Sequence, residues 1–232
     1  MRSAFSVIFQ SAVIRIASLR KELQSVKILV FGASGLTGGR VVEVALKNGH
    51  QVAVLTRDSS KFSNSNLEII EGSATSSADI EKALRSVDAV IHCLGVGAHG
   101  KGTATSLVSD SVKVVLTEMQ KTGAKRLVCM SNVGAGGSGP WFYRRVVLPT
   151  FLRWLQPIIE DKNTMEAALR NSSVEWISVR LPYIVSGPAK PVRTSKDGRD
   201  IGFSITADSA AQFLLNQLTE SKWLRQTPSI SN

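Results

Sequence analysis

Short, nearly continuous apolar runs alternate along most of this chain with longer stretches whose apolar positions return every three to four residues. Runs that are apolar on both sides suit the strands of a parallel sheet covered on both faces, and the longer stretches suit the helices that cover it. From residue 26 onward the pattern predicts strands over 27–31, 51–55, 67–71, 89–94, 126–130 and 174–179. Helices are predicted over 35–48, 78–84, 103–122, 159–170 and 207–218. Gly49 and Gly123 stand where helices commonly stop, and Asp79 and Glu81 lie in the first turn of theirs.

Two stretches break the alternation. The segment 131–139, rich in Gly and Ser, is predicted to be a loop at the carboxyl end of the fifth strand. The segment 182–199 carries Gly187, Pro188, Pro191 and Gly198 and is predicted to be loop or a short hairpin. The resulting class is α/β: a Rossmann-type, doubly wound parallel sheet of about six or seven strands in one domain, 26–232, whose ligands belong beyond the strand carboxyl ends.

Gly32, Gly35 and Gly38 form a G-x-x-G-x-x-G loop directly after the first strand and before the first helix. That context gives each glycine a task in dinucleotide binding: a tight turn, close approach of the pyrophosphate, and close packing of helix on strand. A ligand-free glycine turn is the plain alternative. The second strand runs into Thr56-Arg57-Asp58, where such a fold meets the adenosine ribose. An acid there accepts from the 2′-hydroxyl, whereas an arginine accommodates a 2′-phosphate, so Arg57 points to NADP(H). Its plain alternative is a solvated arginine beside Asp58.

With 232 residues and 43% hydrophobic content the chain can bury one large core. Its formal net charge of +10 attracts nucleic acid, membrane surfaces and small anions alike, but the Lys and Arg residues follow no nucleic-acid-binding spacing. The two cysteines, Cys93 and Cys129, sit inside apolar runs and read as buried strand residues of a reduced protein. His50, His92 and His99 lack metal spacing, so no metal site is expected. Residues 1–25 stand apart: Arg2, Arg15, Arg20 and Lys21 accompany apolar residues, and no acid precedes Glu22. Interrupted by Gln10, Ser11 and Arg15, the segment falls short of the about 20 apolar residues a membrane span needs. It reads as an extra helix or as a presequence; the expected location is cytoplasmic, or mitochondrial in the second case.

Over nearly all of 26–220 the chain resembles the atypical short-chain dehydrogenase/reductases, in particular their NAD(P)H-binding, NmrA-like and flavin reductase (biliverdin reductase B) members. The resemblance is carried by Phe31-Gly-Ala-Ser-Gly-Leu-Thr-Gly38, by Val54-Leu-Thr-Arg-Asp58, and by Asp88-Ala-Val-Ile91 leading to Leu94-Gly95. It implies that Ser34, Leu36 and Thr37 join the glycines at the pyrophosphate and that Arg57 takes the 2′-phosphate. Leu94-Gly95 would line the adenosine side, and Ser131-Asn132 and Pro182-Tyr183-Ile184 would flank the nicotinamide.

The chain departs from the family's Tyr-x-x-x-Lys pair, in which the lysine lowers the tyrosine pKa. Val147 stands four residues after Tyr143, and Ile158 four before Lys162. Lys162 nonetheless occupies the family's helical lysine position, as Ser131 occupies its serine position. These two are the candidate catalytic residues, against a solvated lysine and a turn-forming serine. The aromatic stretch Trp141-Phe142-Tyr143, with Arg144, Arg145, Phe151 and Trp154, reads as a helix packing its apolar face on the domain, or as a lid over a planar substrate. The expected function is hydride transfer from NADPH to a small-molecule acceptor, by a monomer or homodimer with no nucleic acid and no stable membrane insertion. The alternatives are a non-catalytic NADP(H) sensor and an assembly factor that keeps only the fold.

Overall fold

The computed structural model describes residues 25–95 and 104–232. The proposed extension over 1–25 therefore falls almost wholly outside the described residues, as do His99 and the first residue of the predicted 103–122 helix.

Six parallel strands build the frame, joined by helices everywhere except between the second and third, which a 3-10 turn connects. Strands β1 (Lys27–Phe31), β2 (Gln51–Thr56), β3 (Leu67–Glu71), β4 (Ala89–His92), β5 (Arg126–Gly136) and β6 (Glu175–Leu181) alternate with helices α1 (Leu36–Lys47), α2 (Ser77–Leu84), α3 (Leu107–Thr122) and α4 (Gln156–Arg170). Beyond β6 come β7 (Tyr183–Val185), β8 (Arg193–Ser195), β9 (Ser204–Thr206), helix α5 (Ala207–Asn216) and β10 (Ser229–Ser231). The main sheet has eight strands in the order β3-β2-β1-β4-β5-β6-β10-β8, and β7 pairs with β9 in a separate two-stranded sheet. Every ladder is parallel except β10 on β8.

Strand order runs outward in both directions from β1 and β4. Chain segments leaving these neighbours diverge to opposite faces and open a crevice between them, the usual ligand position in such a sheet. Successive strand residues feed two cores. Leu29, Phe31 and Val90 join Ile80, Val112, Val115, Met165 and Leu169 from α2, α3 and α4 on one face. Ile28, Val30 and Ile91 join Val41, Ala45, Ala210 and Leu214 from α1 and α5 on the other. Burial on both faces explains why these strands show no polar alternation.

The sheet exceeds the predicted six or seven strands because β8 and β10 are three residues each, too short to show a period. Nor is 131–139 simply a loop: β5 continues to Gly136, with Ser131 and Asn132 held in register opposite Arg180 and Leu181. Across 182–199 no hairpin forms, since β7 and β8 find their partners in β9 and β10.

The aromatic stretch also differs from the expected packed helix. A π-helical turn (Tyr143–Val147), one α-helical turn (Leu148–Thr150) and a 3-10 turn (Arg153–Leu155) follow one another, and the changing pitch leaves no continuous inward face. Leu148 reaches toward Gly134, while Trp141, Phe142, Phe151 and Trp154 stay exposed.

Candidate functional site

The loop after β1 is shaped by the backbone that meets it. Gly32 has φ +74°, and a Cβ there would lie 2.7 Å from the Cys93 carbonyl oxygen at the end of β4. A Cβ on Gly38 would collide with the Gly32 carbonyl, because α1 presses directly onto the loop. Gly35 is different: it is exposed and extended, donates its N–H to Gly32 O at 3.0 Å, and a Cβ there would have one neighbour within 4 Å, Gly32 O at 3.3 Å. The protein's own packing thus demands Gly32 and Gly38 far more than Gly35, whose open side faces the crevice.

Gly35 is also the N-cap of α1, where it offers no side-chain acceptor, and the first turn holds no acid. The first N–H groups and the positive end of the helix dipole are left available to an anion. Ser34 and Leu36 are exposed beside them, and Thr37 is buried beneath. A diphosphate therefore meets the donor set and the cleared volume it requires.

Arg57 is exposed just past β2. Asp58 caps the following 3-10 turn (Ser59–Lys61), accepting from Ser60 N at 3.2 Å and Ser60 Oγ at 2.5 Å and lying 3.6 Å from Lys61 Nζ. The Ser60 hydroxyl holds the Asp58 carboxyl below the usual carboxylate range. Its oxygens are thus engaged by the turn that follows, and among the described residues Arg57 makes no ion pair with it. Across the crevice, Gly95 is exposed, with nothing among the described residues within 4 Å of a Cβ position, and Leu94 packs on the core.

Lys162 on α4 is not the solvated helix lysine weighed above. It is 1% exposed, and its Nζ donates to Met130 O at 2.8 Å and Leu94 O at 3.1 Å, joining the middle of β5 to the segment that leaves β4. Burial brings its pKa down to about 8. Burial and the Lys162 charge push His92 down to about 3, so its imidazole is neutral, with Nε2 and Ser111 Oγ 2.9 Å apart. The thiols of Cys93 and Cys129 are buried and unpaired, and burial pushes Cys93 up to about 12.

Ser131 is equally enclosed. Its hydroxyl donates to Glu166 Oε1 at 2.9 Å, and Arg180 donates from Nε to Oε1 at 2.9 Å and from Nη2 to Oε2 at 2.5 Å. One turn earlier on α4, Asp161 accepts from Val108 N at 3.0 Å and Ser109 N at 2.9 Å, capping α3, whose own N-cap Ser106 gives no side-chain cap. Asp161, Glu166 and Arg180 have no role that the sequence alone assigns. The readable signal was the placing of Asp161, Lys162 and Glu166 on the same helical stripe as Met165 and Leu169, where a charge must be paired.

Of the residues expected at the nicotinamide, Pro182 follows β6, and Tyr183 and Ile184 lie on β7, Tyr183 being 77% exposed. The site residues thus lie in segments leaving the carboxyl ends of β1, β2, β4 and β6, within β5 for Ser131, or, for Lys162, on α4 reaching β5 and the segment beyond β4. Among the described residues no three metal-ligating side chains cluster, and no helix is long and apolar enough to cross a membrane.

Comparison with known proteins gives this geometry a context. The UPF0659 protein YMR090W of Saccharomyces cerevisiae is 21% identical over 225 residues, covering 90% of this chain and 95% of that one. Several other curated relatives are matched over less than half of their own length. Among solved structures, a short-chain dehydrogenase/reductase from Veillonella parvula in complex with NADP superposes with a TM-score of 0.74 at 13% identity, covering 89% of this chain and 94% of that one. ChuY, an anaerobillin reductase from Escherichia coli O157:H7, superposes with a TM-score of 0.70 at 18% identity, covering 88% and 96%. At these identities the likeness is one of fold. A family profile matches residues 32–221, from the first glycine of the loop to beyond α5, and on that ground the chain belongs to the NAD(P)H-binding family.

Proposed function

We propose that the protein is an NADPH-dependent oxidoreductase that passes hydride to a flavin, a quinone or a similarly electron-poor small molecule. The observation that carries this reading is Gly35: a small residue where a Cβ would press only on Gly32 O, at 3.3 Å, beside the uncapped N-terminus of α1. Bound NADPH supplies the hydride, and the chain supplies binding and alignment. In this reading Gly32, Ser34, Gly35, Leu36, Thr37 and Gly38 hold the pyrophosphate and Arg57 pairs with the 2′-phosphate. Leu94 and Gly95 border the adenosine, while Ser131, Pro182, Tyr183 and Ile184 border the nicotinamide.

Ser131 and Lys162 remain the candidates nearest the chemistry, acting by position. Lys162 fixes the middle of β5 relative to the segment that leaves β4, and Ser131 is oriented by Glu166. An acceptor such as a flavin or quinone can draw its proton from water, so alignment suffices without a tyrosine acid.

A second reading, a non-catalytic sensor of NADP(H) occupancy, is favoured by the same two residues: each already has protein partners, and Ile158 stands where the family's tyrosine would be. Measuring NADPH oxidation by the purified protein with FMN, FAD and a set of quinones separates the two. Turnover above the uncatalysed rate supports the reductase, whereas tight NADPH binding with no turnover supports the sensor.

A further inference from the structure

Among the described residues eight large hydrophobic side chains are exposed, and all eight lie at one end of the molecule. Leu36 follows β1, Leu107 opens α3 after β4, Tyr183 follows β6, and the Phe203 carbonyl accepts from Tyr183 N–H at 3.1 Å. The other four fill the connection from β5 to α4: Trp141 (70% exposed), Phe142, Phe151 (77%) and Trp154. This is the end at which the glycine loop opens.

The connection is held from beneath, where Leu148 and Ile159 meet Gly134 and Tyr143 meets Gly139. Its outward side mixes the four aromatics with exposed Arg144, Arg145 and Arg153. No Asp or Glu occurs between Glu118 and Glu160, an interval with six Lys and Arg residues. Indole and phenyl rings interleaved with arginines suit the headgroup layer of an anionic bilayer, where rings sit at the interface and cations attract lipid phosphates. A second copy of the chain suits the face less well, because a twofold contact would set its arginines against themselves.

We propose that the β5–α4 connection docks the protein reversibly on an anionic membrane surface, turning the mouth of the crevice toward the lipid. The contact is peripheral, through surface side chains rather than a spanning helix. Any acceptor entering by that mouth could then arrive from the bilayer.

Vesicles of phosphatidylcholine alone, and of phosphatidylcholine mixed with phosphatidylserine, test this with the full chain. Binding is expected to the mixed vesicles only and to weaken as salt rises. Trp176 and Trp223 are buried, so quenching of tryptophan fluorescence by brominated lipid reports on Trp141 and Trp154. Replacing Arg144, Arg145 and Arg153 by Gln should weaken binding about fivefold per arginine, or about a hundredfold together. Trp141→Ser with Trp154→Ser should remove the quenching without changing the thermal melt. Residues 1–24 are also cationic, so vesicle binding that persists at full strength in the triple arginine variant overturns the proposal. So do the absence of vesicle binding, and a concentration-dependent dimer in sedimentation that the tryptophan variant abolishes.

Discussion

The hydroxyl of Ser131 donates to the carboxylate of Glu166 across 2.9 Å of buried space, joining the middle of β5 to α4. Arg180 neutralises the same carboxylate through two nitrogens. Removing the acid leaves a buried guanidinium without its partner, so Glu166→Ala should destabilise the fold by about 3–5 kcal/mol. Ser131→Ala, which leaves the ion pair intact, should cost only about 1 kcal/mol. Urea titrations of both variants check the ratio. If acceptor reduction is also lost in a stable Ser131→Ala protein, the serine contacts substrate as well as Glu166.

The glycine loop offers a contrast between neighbours. Gly38→Ala forces a methyl into the Gly32 carbonyl and should lower the melting temperature sharply. Gly35→Val adds bulk on the open side, at an extended backbone conformation that valine accepts, so the sheet should survive while NADPH binding is lost. Calorimetric titration with NADPH alongside a thermal melt distinguishes these outcomes. Unchanged affinity in folded Gly35→Val would remove the loop from the cofactor site.

Arg57 should give the protein its preference for NADPH over NADH. With Asp58 turned to Ser60 and Lys61, the guanidinium is left to a 2′-phosphate that only NADPH carries. A charge-assisted bond of this kind contributes about 1.5–3 kcal/mol. Arg57→Ala should therefore weaken NADPH about ten- to a hundredfold and leave NADH nearly unaffected. Dissociation constants for both cofactors decide it: equal losses, or a wild-type preference for NADH, would refute the assignment.

Lys162 makes stability depend on pH in an unusual direction. Its pKa falls from 10.5 to about 8 on burial, so between those values the unfolded chain binds a proton that the folded one does not. Unfolding free energy must then rise with pH across this window, and the cost of burying the charge is fully present below about pH 8. The relief amounts to something on the order of 3 kcal/mol. Lys162→Met should lack this rise, which subtracting its stability curve from that of the wild type between pH 7.5 and 10.5 would isolate from other titrating groups. Parallel curves would show that the amine keeps its ordinary pKa in the folded protein and stays charged there, and would overturn the shift.

Residues whose neighbours in sequence decide their conformation were legible. Strands such as Lys27–Phe31 and Leu67–Glu71 have the predicted bounds, because apolar burial on the sheet shows in the run itself. Gly32 and Gly38 followed from the strand-loop-helix context. What stayed hidden depends on partners far along the chain. Gly134 and Ala135 look like loop residues, yet they continue β5. Ser229–Ser231 has no apolar pattern beyond Ile230 but fills the space between β6 and β8. Lys162 was identified by position while its environment was not, since its acceptors are backbone carbonyls, 32 and 68 residues away, that every sequence contains.

The placing of β10 between β6 and β8 sets an order of assembly. Strand β8 reaches the main sheet through β10 alone, although β10 is synthesised more than thirty residues later. A nascent chain can therefore complete the β1–β4 half, with its glycine loop, while β8 still waits without a partner. Asn232 then ties the late strand to α5 by donating from its side chain to Thr206 Oγ1 and Ser209 Oγ. Proteolytic clipping just before Ser229 should accordingly release β8 and loosen the edge beside β6, leaving the early half folded: an asymmetry that ribosome-stalled chains of increasing length would show directly as protease resistance gained from the amino-terminal side first.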